Sequence, residues 1–187
     1  MHGSRRRREE TGTSQHRPHG AGASRRPYIS LATRRIEYVA CTSNPDGAWT
    51  AQQARNLMMQ LGDDQPFRLL IRDRDSKFGG PFDEIFRSEG VRVIRTPVRA
   101  PNANAYAERW VRTLREDCLD RLLIVGRRHL ERVLFVYVPH YNEHRPHRAL
   151  GLAPPDRLAS VPPSPLPARV ERRDLLGGLV HEYRAAA

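Results

Sequence analysis

The stretch from Arg68 to Arg115, RLLIRDRDSKFGGPFDEIFRSEGVRVIRTPVRAPNANAYAERWVRTLR, constrains the fold more than any other part of the chain. It opens on a short apolar run, Phe67 to Ile71, which fits a buried strand with Asp73 at its exit. A helix over Phe82–Ser88, a second strand over Val91–Arg95 and a Pro-bounded loop, Thr96–Pro101, follow. The stretch closes on a helix that starts near Asn102–Ala103 and carries Glu108. A strand, helix, strand order returns the chain to one edge of a sheet, so Asp73 and Glu108 can converge despite a mid-thirties separation in sequence. Convergent carboxylates are acceptor-only and negative, which is what a magnesium site requires.

The runs IRDRDSKF and NANAYAERWVRTLRE, followed by HYNEHRPHRALGLAPPD at His140–Asp156, resemble three motifs of bacterial insertion-sequence transposases and retroviral-type integrases. The resemblance covers roughly Thr33 to Asp156. It implies an α/β fold, an RNase H-like mixed sheet flanked by helices, and DNA strand cleavage and transfer at a site of two aspartates and one glutamate holding Mg2+. Carried across, Asp73 matches the second aspartate and Glu108 the glutamate. Arg112 and Arg115, on the Glu108 face of the helix, then reach DNA phosphates, and Asn104 either touches the scissile strand or caps the helix. Asp75 stands where the family often has Gly and is not taken as a ligand.

The first aspartate of the family has no counterpart. Residues 1–45 contain no Asp, Glu9 and Glu10 sit in a polar tail, and Asp46 reads as a helix cap. The family's first strand is central, between a hairpin and the strand of Asp73, so its loss would remove a metal ligand and the middle of the sheet together. The expectation is an N-terminally truncated or frameshifted transposase core, inactive alone. The alternatives are a non-catalytic fragment that binds nucleic acid or joins intact transposase subunits, and a decayed frame that barely folds.

Composition supports a nucleic-acid partner. Net charge is +11, and Lys77 is the only lysine, so arginine supplies almost all of the positive charge. GC-rich coding is an equally simple partial cause of that richness. No apolar run reaches membrane-spanning length, and no apolar signal segment opens the chain. The resulting expectation is a cytoplasmic protein, nucleoid-associated when on DNA. Cys41 and Cys118 lack zinc spacing and read as buried reduced thiols.

Four segments follow. Residues 1–26 form a basic tail expected to be disordered. Residues 27–152 form the partial core: strands at Tyr28–Leu31 and Arg35–Cys41, with Ile36, Tyr38 and Ala40 on one face, then a helix from Gly47 to Leu61 capped by Asp46 and ended by Gly62. Ala51, Ala54, Met58 and Leu61 take its core face, and Met58 and Met59 read as packing residues. On the glutamate helix, Ala107, Trp110, Val111, Leu114 and Cys118 form the apolar arc, and Glu108–Arg112 has the order of an exposed ion pair. A second helix, Arg127–Glu143, contains Pro139, which predicts a kink. His140, His144 and His147 read as polar groups at the helix end rather than metal ligands, and Tyr141 and Asn142 as hydrogen-bonding groups at the base of the core. Residues 153–168 form a Pro-rich linker. Residues 169–187 form a hairpin around Gly177-Gly178, too small to fold without docking.

Overall fold

A computed structural model describes residues 24–62, 67–97, 105–157 and 169–186. The elements run β1 Ser24–Ile29, β2 Ile36–Thr42, α1 Gly47–Leu61, β3 Leu69–Arg72, α2 Gly80–Ser88, β4 Arg92–Arg95, α3 Ala105–Asp117, α4 Gly126–Glu143, β5 Val170–Leu175 and β6 Val180–Ala185. The fold is mixed α/β. Among the described residues its strands are not joined into the single mixed sheet that the sequence leads one to expect. They form three separate ladders: antiparallel β1–β2, parallel β3–β4 and antiparallel β5–β6.

β1 begins earlier than the sequence suggests, because Ser24, Arg25 and Arg26 pair with Thr42, Cys41 and Ala40. These three residues therefore leave the basic tail for the core, and the rest of that tail lies outside the described residues. A register shift sits between Tyr28 and Ile29, opposite Tyr38 and Ile36, and makes Glu37 the extra residue of a bulge. One inserted residue reverses the side-chain alternation of a strand. Ile36 thus shares a core with Val39 and Cys41, while Tyr38 turns to the other core, correcting the alternation expected for this strand.

The hairpin separates two apolar clusters. The first gathers Ile36, Trp110, Leu114, Leu130, Leu134 and Tyr137 around α3 and α4. The second gathers Ala54, Leu57, Met58, Phe82, Phe86 and Val91 between α1, α2 and the start of β4. Asn142 of α4 ties the hairpin to the first cluster: its Oδ1 accepts from Ile36 N at 2.9 Å and its Nδ2 donates to Ile36 O at 3.0 Å. Asp46 caps α1 by accepting from Trp49 N at 2.7 Å, and Gly62 at φ 60° ends it. Met58 packs as expected, but Met59 is 80 % exposed because it falls on the solvent side of α1. α4 continues through Pro139, which is exposed.

β5–β6 forms the expected C-terminal hairpin, with Gly177 and Gly178 both at positive φ in its turn. Val180 docks in the first cluster, and Glu182 is buried facing His140 and His144 at 3.7 Å each. Both cysteines are free and buried, and burial pushes the Cys118 thiol up to about 12. Most of the Pro-rich linker lies outside the described residues. No helix among the described residues is long and apolar enough to cross a membrane.

Candidate functional site

β3 is poorly covered for a strand beside the core. Leu69 is 49 % exposed and Ile71 42 %, so the expectation that Phe67–Ile71 is a buried strand does not hold. The reason is the number of its neighbours: among the described residues β3 pairs only with β4. Arg92 N donates to Arg68 O and Thr96 N to Arg72 O, both at 2.9 Å. In a parallel ladder these partners alternate, so Arg68, Leu70 and Arg72 face β4, whereas the backbone groups of Leu69 and Ile71 point to the other side.

That other side is a cavity of about 1020 Å³. Residues of β1 and β3 line it, together with Leu57 and Phe82 of the second cluster and Ala107 and Val111 of α3. Asp73, at the exit of β3, and Glu108, in the first described turn of α3, both line it, as do Arg112 and Arg115. The structure thus brings four of the five site residues named from the sequence to one cavity. Asn104, and the start of the helix near Asn102–Ala103, lie outside the described residues.

Local interactions aim these groups. The Arg72 guanidinium grips Asp83 of α2 through Nε at 2.7 Å and Nη2 at 2.8 Å, and its Nη1 donates to Asp73 O at 2.9 Å. Asp83 is 1 % exposed, and hydrogen bonds from Arg72, opposed by burial, hold its carboxyl below the usual range. Asp73 Oδ1 accepts from Asp75 N at 3.1 Å. Asp75 is engaged by Arg26 at 3.2 Å and by Lys77 at 3.3 Å, and the backbone N–H of Lys77 does most to lower its pKa. The Arg26–Asp75 pair ties β1 to the loop after β3, with Arg26 also 5.1 Å from the Phe78 ring centroid. On α3, the Glu108–Arg112 pair does not form among the described residues; Arg115 bonds Asp120 at 3.2 Å.

Sequence reasoning missed Arg72–Asp83 and Arg26–Asp75. The first had a legible signal: an arginine at a strand exit and an acid in the first turn of the next helix. The second had none, since Arg26 was assigned to the tail.

Among the described residues, no group of three or more His, Cys, Asp or Glu gathers to hold a metal ion, the His140–His144–His147 segment included. Two carboxylates suit at most one magnesium that fills its shell with water and phosphate oxygens. They do not suit two adjacent cations, whose repulsion demands more carboxylate.

Against this geometry the comparisons are informative. Residues 89–155 match the integrase core domain family, a stretch that includes Glu108 and begins after Asp73. Among solved structures, the chain is similar to one in a cryo-EM structure of the simian T-cell lymphotropic virus intasome in complex with PP2A regulatory subunit B56 gamma. That similarity has a TM-score of 0.57 at 12 % identity and covers 86 % of this chain and 60 % of that one. At such low identity the likeness concerns the fold. No curated protein sequence matches the chain. The family match over residues 89–155 and the likeness in fold both agree with the resemblance carried by the motifs.

Proposed function

We propose that the chain is a DNA-integration core protein that binds DNA across the Asp73–Glu108 cavity and does not cut or join strands by itself. The observation that carries this reading is the meeting of Asp73 and Glu108 at one cavity flanked by Arg112 and Arg115. In this reading the two acids hold a single Mg2+, which supplies Lewis-acid polarisation of a phosphate oxygen. Arg112, Arg115 and Asn104 hold the DNA backbone through contacts blind to sequence. The sheet is an RNase H-like arrangement without its central strand, and the third carboxylate of a two-metal site is absent from the described residues. The partners are DNA and intact transposase subunits, and the location is the cytoplasm, on the nucleoid when DNA is bound.

The test incubates the purified chain with supercoiled plasmid and Mg2+ or Mn2+, beside Asp73→Asn and Glu108→Gln, and measures duplex binding by titration. The expected outcome is binding that weakens steeply with salt, a slope lowered by about one unit for each of Arg112→Ala and Arg115→Ala, and no nicking. Metal-dependent nicking abolished by both acid substitutions would overturn the inactivity. Salt-insensitive binding, or binding indifferent to both arginine substitutions, would overturn the DNA surface.

A further inference from the structure

Arg34, in the turn between β1 and β2, is held in an unfavourable state twice over. Its φ is 67°, in the left-handed region that disfavours side chains other than those of Asn and Asp. Its Nη1 is buried and finds no hydrogen-bond partner among the described residues. The turn is otherwise well made: Arg34 N donates to Ser30 O at 2.8 Å, Ser30 N to Arg35 O at 2.9 Å and Thr33 N to Ser30 Oγ at 3.2 Å. Glycine would close the same turn without strain. An arginine here therefore calls for a reason in its side chain, and such outliers gather where function needs them.

That side chain reaches α3. Its Cζ stands 3.7 Å from the centroid of the Tyr106 ring, and its Nη2 donates to Tyr106 Oη at 3.0 Å. Tyr106 lies in the first described turn of α3, two residues before Glu108. The buried residues of α3 are Trp110 and Leu114, so no buried side chain anchors the turn ahead of Trp110. Helix ends have backbone groups without intrahelical partners, and they fray.

The hairpin is secured without this tie. Asn142 binds both backbone groups of Ile36, Arg35 Nε donates to Asp156 Oδ1 at 2.7 Å, and Arg26 reaches Asp75. What the tie adds is a hold on the start of α3. Residues two apart lie about 200° apart around a helix, so Arg34 on Tyr106 acts on Glu108 through the backbone.

We propose that Arg34 is a positioning residue for Glu108: clamped on Tyr106, it keeps the first turn of α3 helical and so fixes where the carboxylate stands. The use of that position rests on the reading of Glu108 as a magnesium ligand; the clamp itself does not.

The test compares the full chain with Arg34→Gly, Arg34→Lys and Tyr106→Ala by amide exchange, thermal melting and Mn2+ titration, the last read from paramagnetic broadening of NMR signals. Arg34→Gly should leave the melting temperature unchanged or higher, because it relieves the left-handed residue. It should speed exchange at the Arg109 and Trp110 amides at least tenfold, with Leu114 and Tyr137 unchanged. Tyr106→Ala should match that local effect, the two changes together should exceed neither alone, and Arg34→Lys should restore part of the protection. Arg34→Gly should also need at least threefold more Mn2+ to broaden Asp73 and Glu108. Unchanged exchange at Arg109 and Trp110, additive effects in the double variant, or unchanged Mn2+ binding despite a frayed turn would overturn the proposal. So would faster exchange at Leu114 and Tyr137 with a lower melting temperature, which would assign Arg34 to stability alone. If Mn2+ broadened neither acid in the unsubstituted chain, the magnesium reading would fall instead, and exchange at Arg109 and Trp110 would still decide the clamp.

Discussion

The two acids of the site stand on supports of unequal quality. Glu108 rides on α3, whose Trp110 and Leu114 are no more than 1 % exposed and whose last residue, Asp117, accepts from Tyr137 Oη at 2.7 Å and Arg145 Nε at 2.8 Å. Asp73 follows a four-residue strand with one neighbour among the described residues and two half-exposed side chains. The same apolar content therefore yields a closed half around α3 and α4 and an open half around β3. Hydrophobic residues stabilise only where something covers them, and strands require neighbours as well as side chains.

Substitution should expose that inequality first. Trp110→Ala or Tyr137→Ala removes a fully buried ring and should cost about 3–5 kcal/mol in urea unfolding. Ile71→Ala and Leu69→Ala, in the strand that carries Asp73, should each cost under about 1 kcal/mol. Equal losses would mean that β3 is covered after all.

One feature of the open half should behave as though it were closed. Asp83→Ala strands the Arg72 guanidinium, itself 7 % exposed, and should cost about 3–5 kcal/mol. Joint replacement by Arg72→Met and Asp83→Leu should recover much of that loss, since no lone charge is then buried. A small effect of Asp83→Ala would place the pair in water.

Acid should separate the halves by pH. Burial lowers the folded pKa of His140 and His147 in the closed half; Glu182 raises the first and the Tyr141 carbonyl the second, without reversing either shift. A depressed histidine favours folding above its unfolded value and loses that advantage as pH falls below about 6.5. Asp83, depressed by Arg72, contributes above its unfolded value and loses its contribution as pH falls below about 3.9. Urea midpoints should thus decline in two steps, the upper flattened by His140→Gln with His147→Gln and the lower by Asp83→Asn. A single step indifferent to these substitutions would contradict the assignment.

Local patterns were legible wherever one element determines its own surroundings. The cap at Asp46, the end at Gly62, the apolar arc of α3 and the Gly177-Gly178 hairpin all follow from residues a few positions apart. The motifs single out Asp73 and Glu108, and both residues line the cavity. Three things were not legible because they depend on distant partners. The exposure of Ile71 reflects the single partner that β3 has among the described residues. The bulge at Glu37 changes which core Tyr38 enters without altering the apolar pattern. Arg26 looks like any arginine of a basic tail until Asp75 is brought to it from across the cavity.

Native-state hydrogen exchange of the free chain, residue by residue, tests the contrast between the halves most directly. Amides in the middle of α3 and α4, such as Leu114 and Tyr137, should exchange only by global unfolding, those of Leu70 and Arg72 by a smaller opening, and those of Leu69 and Ile71 with almost no protection. Leu69 and Ile71 as slow as Tyr137 in the isolated monomer would contradict the account, since β3 would then have a second partner and the cavity would not be open.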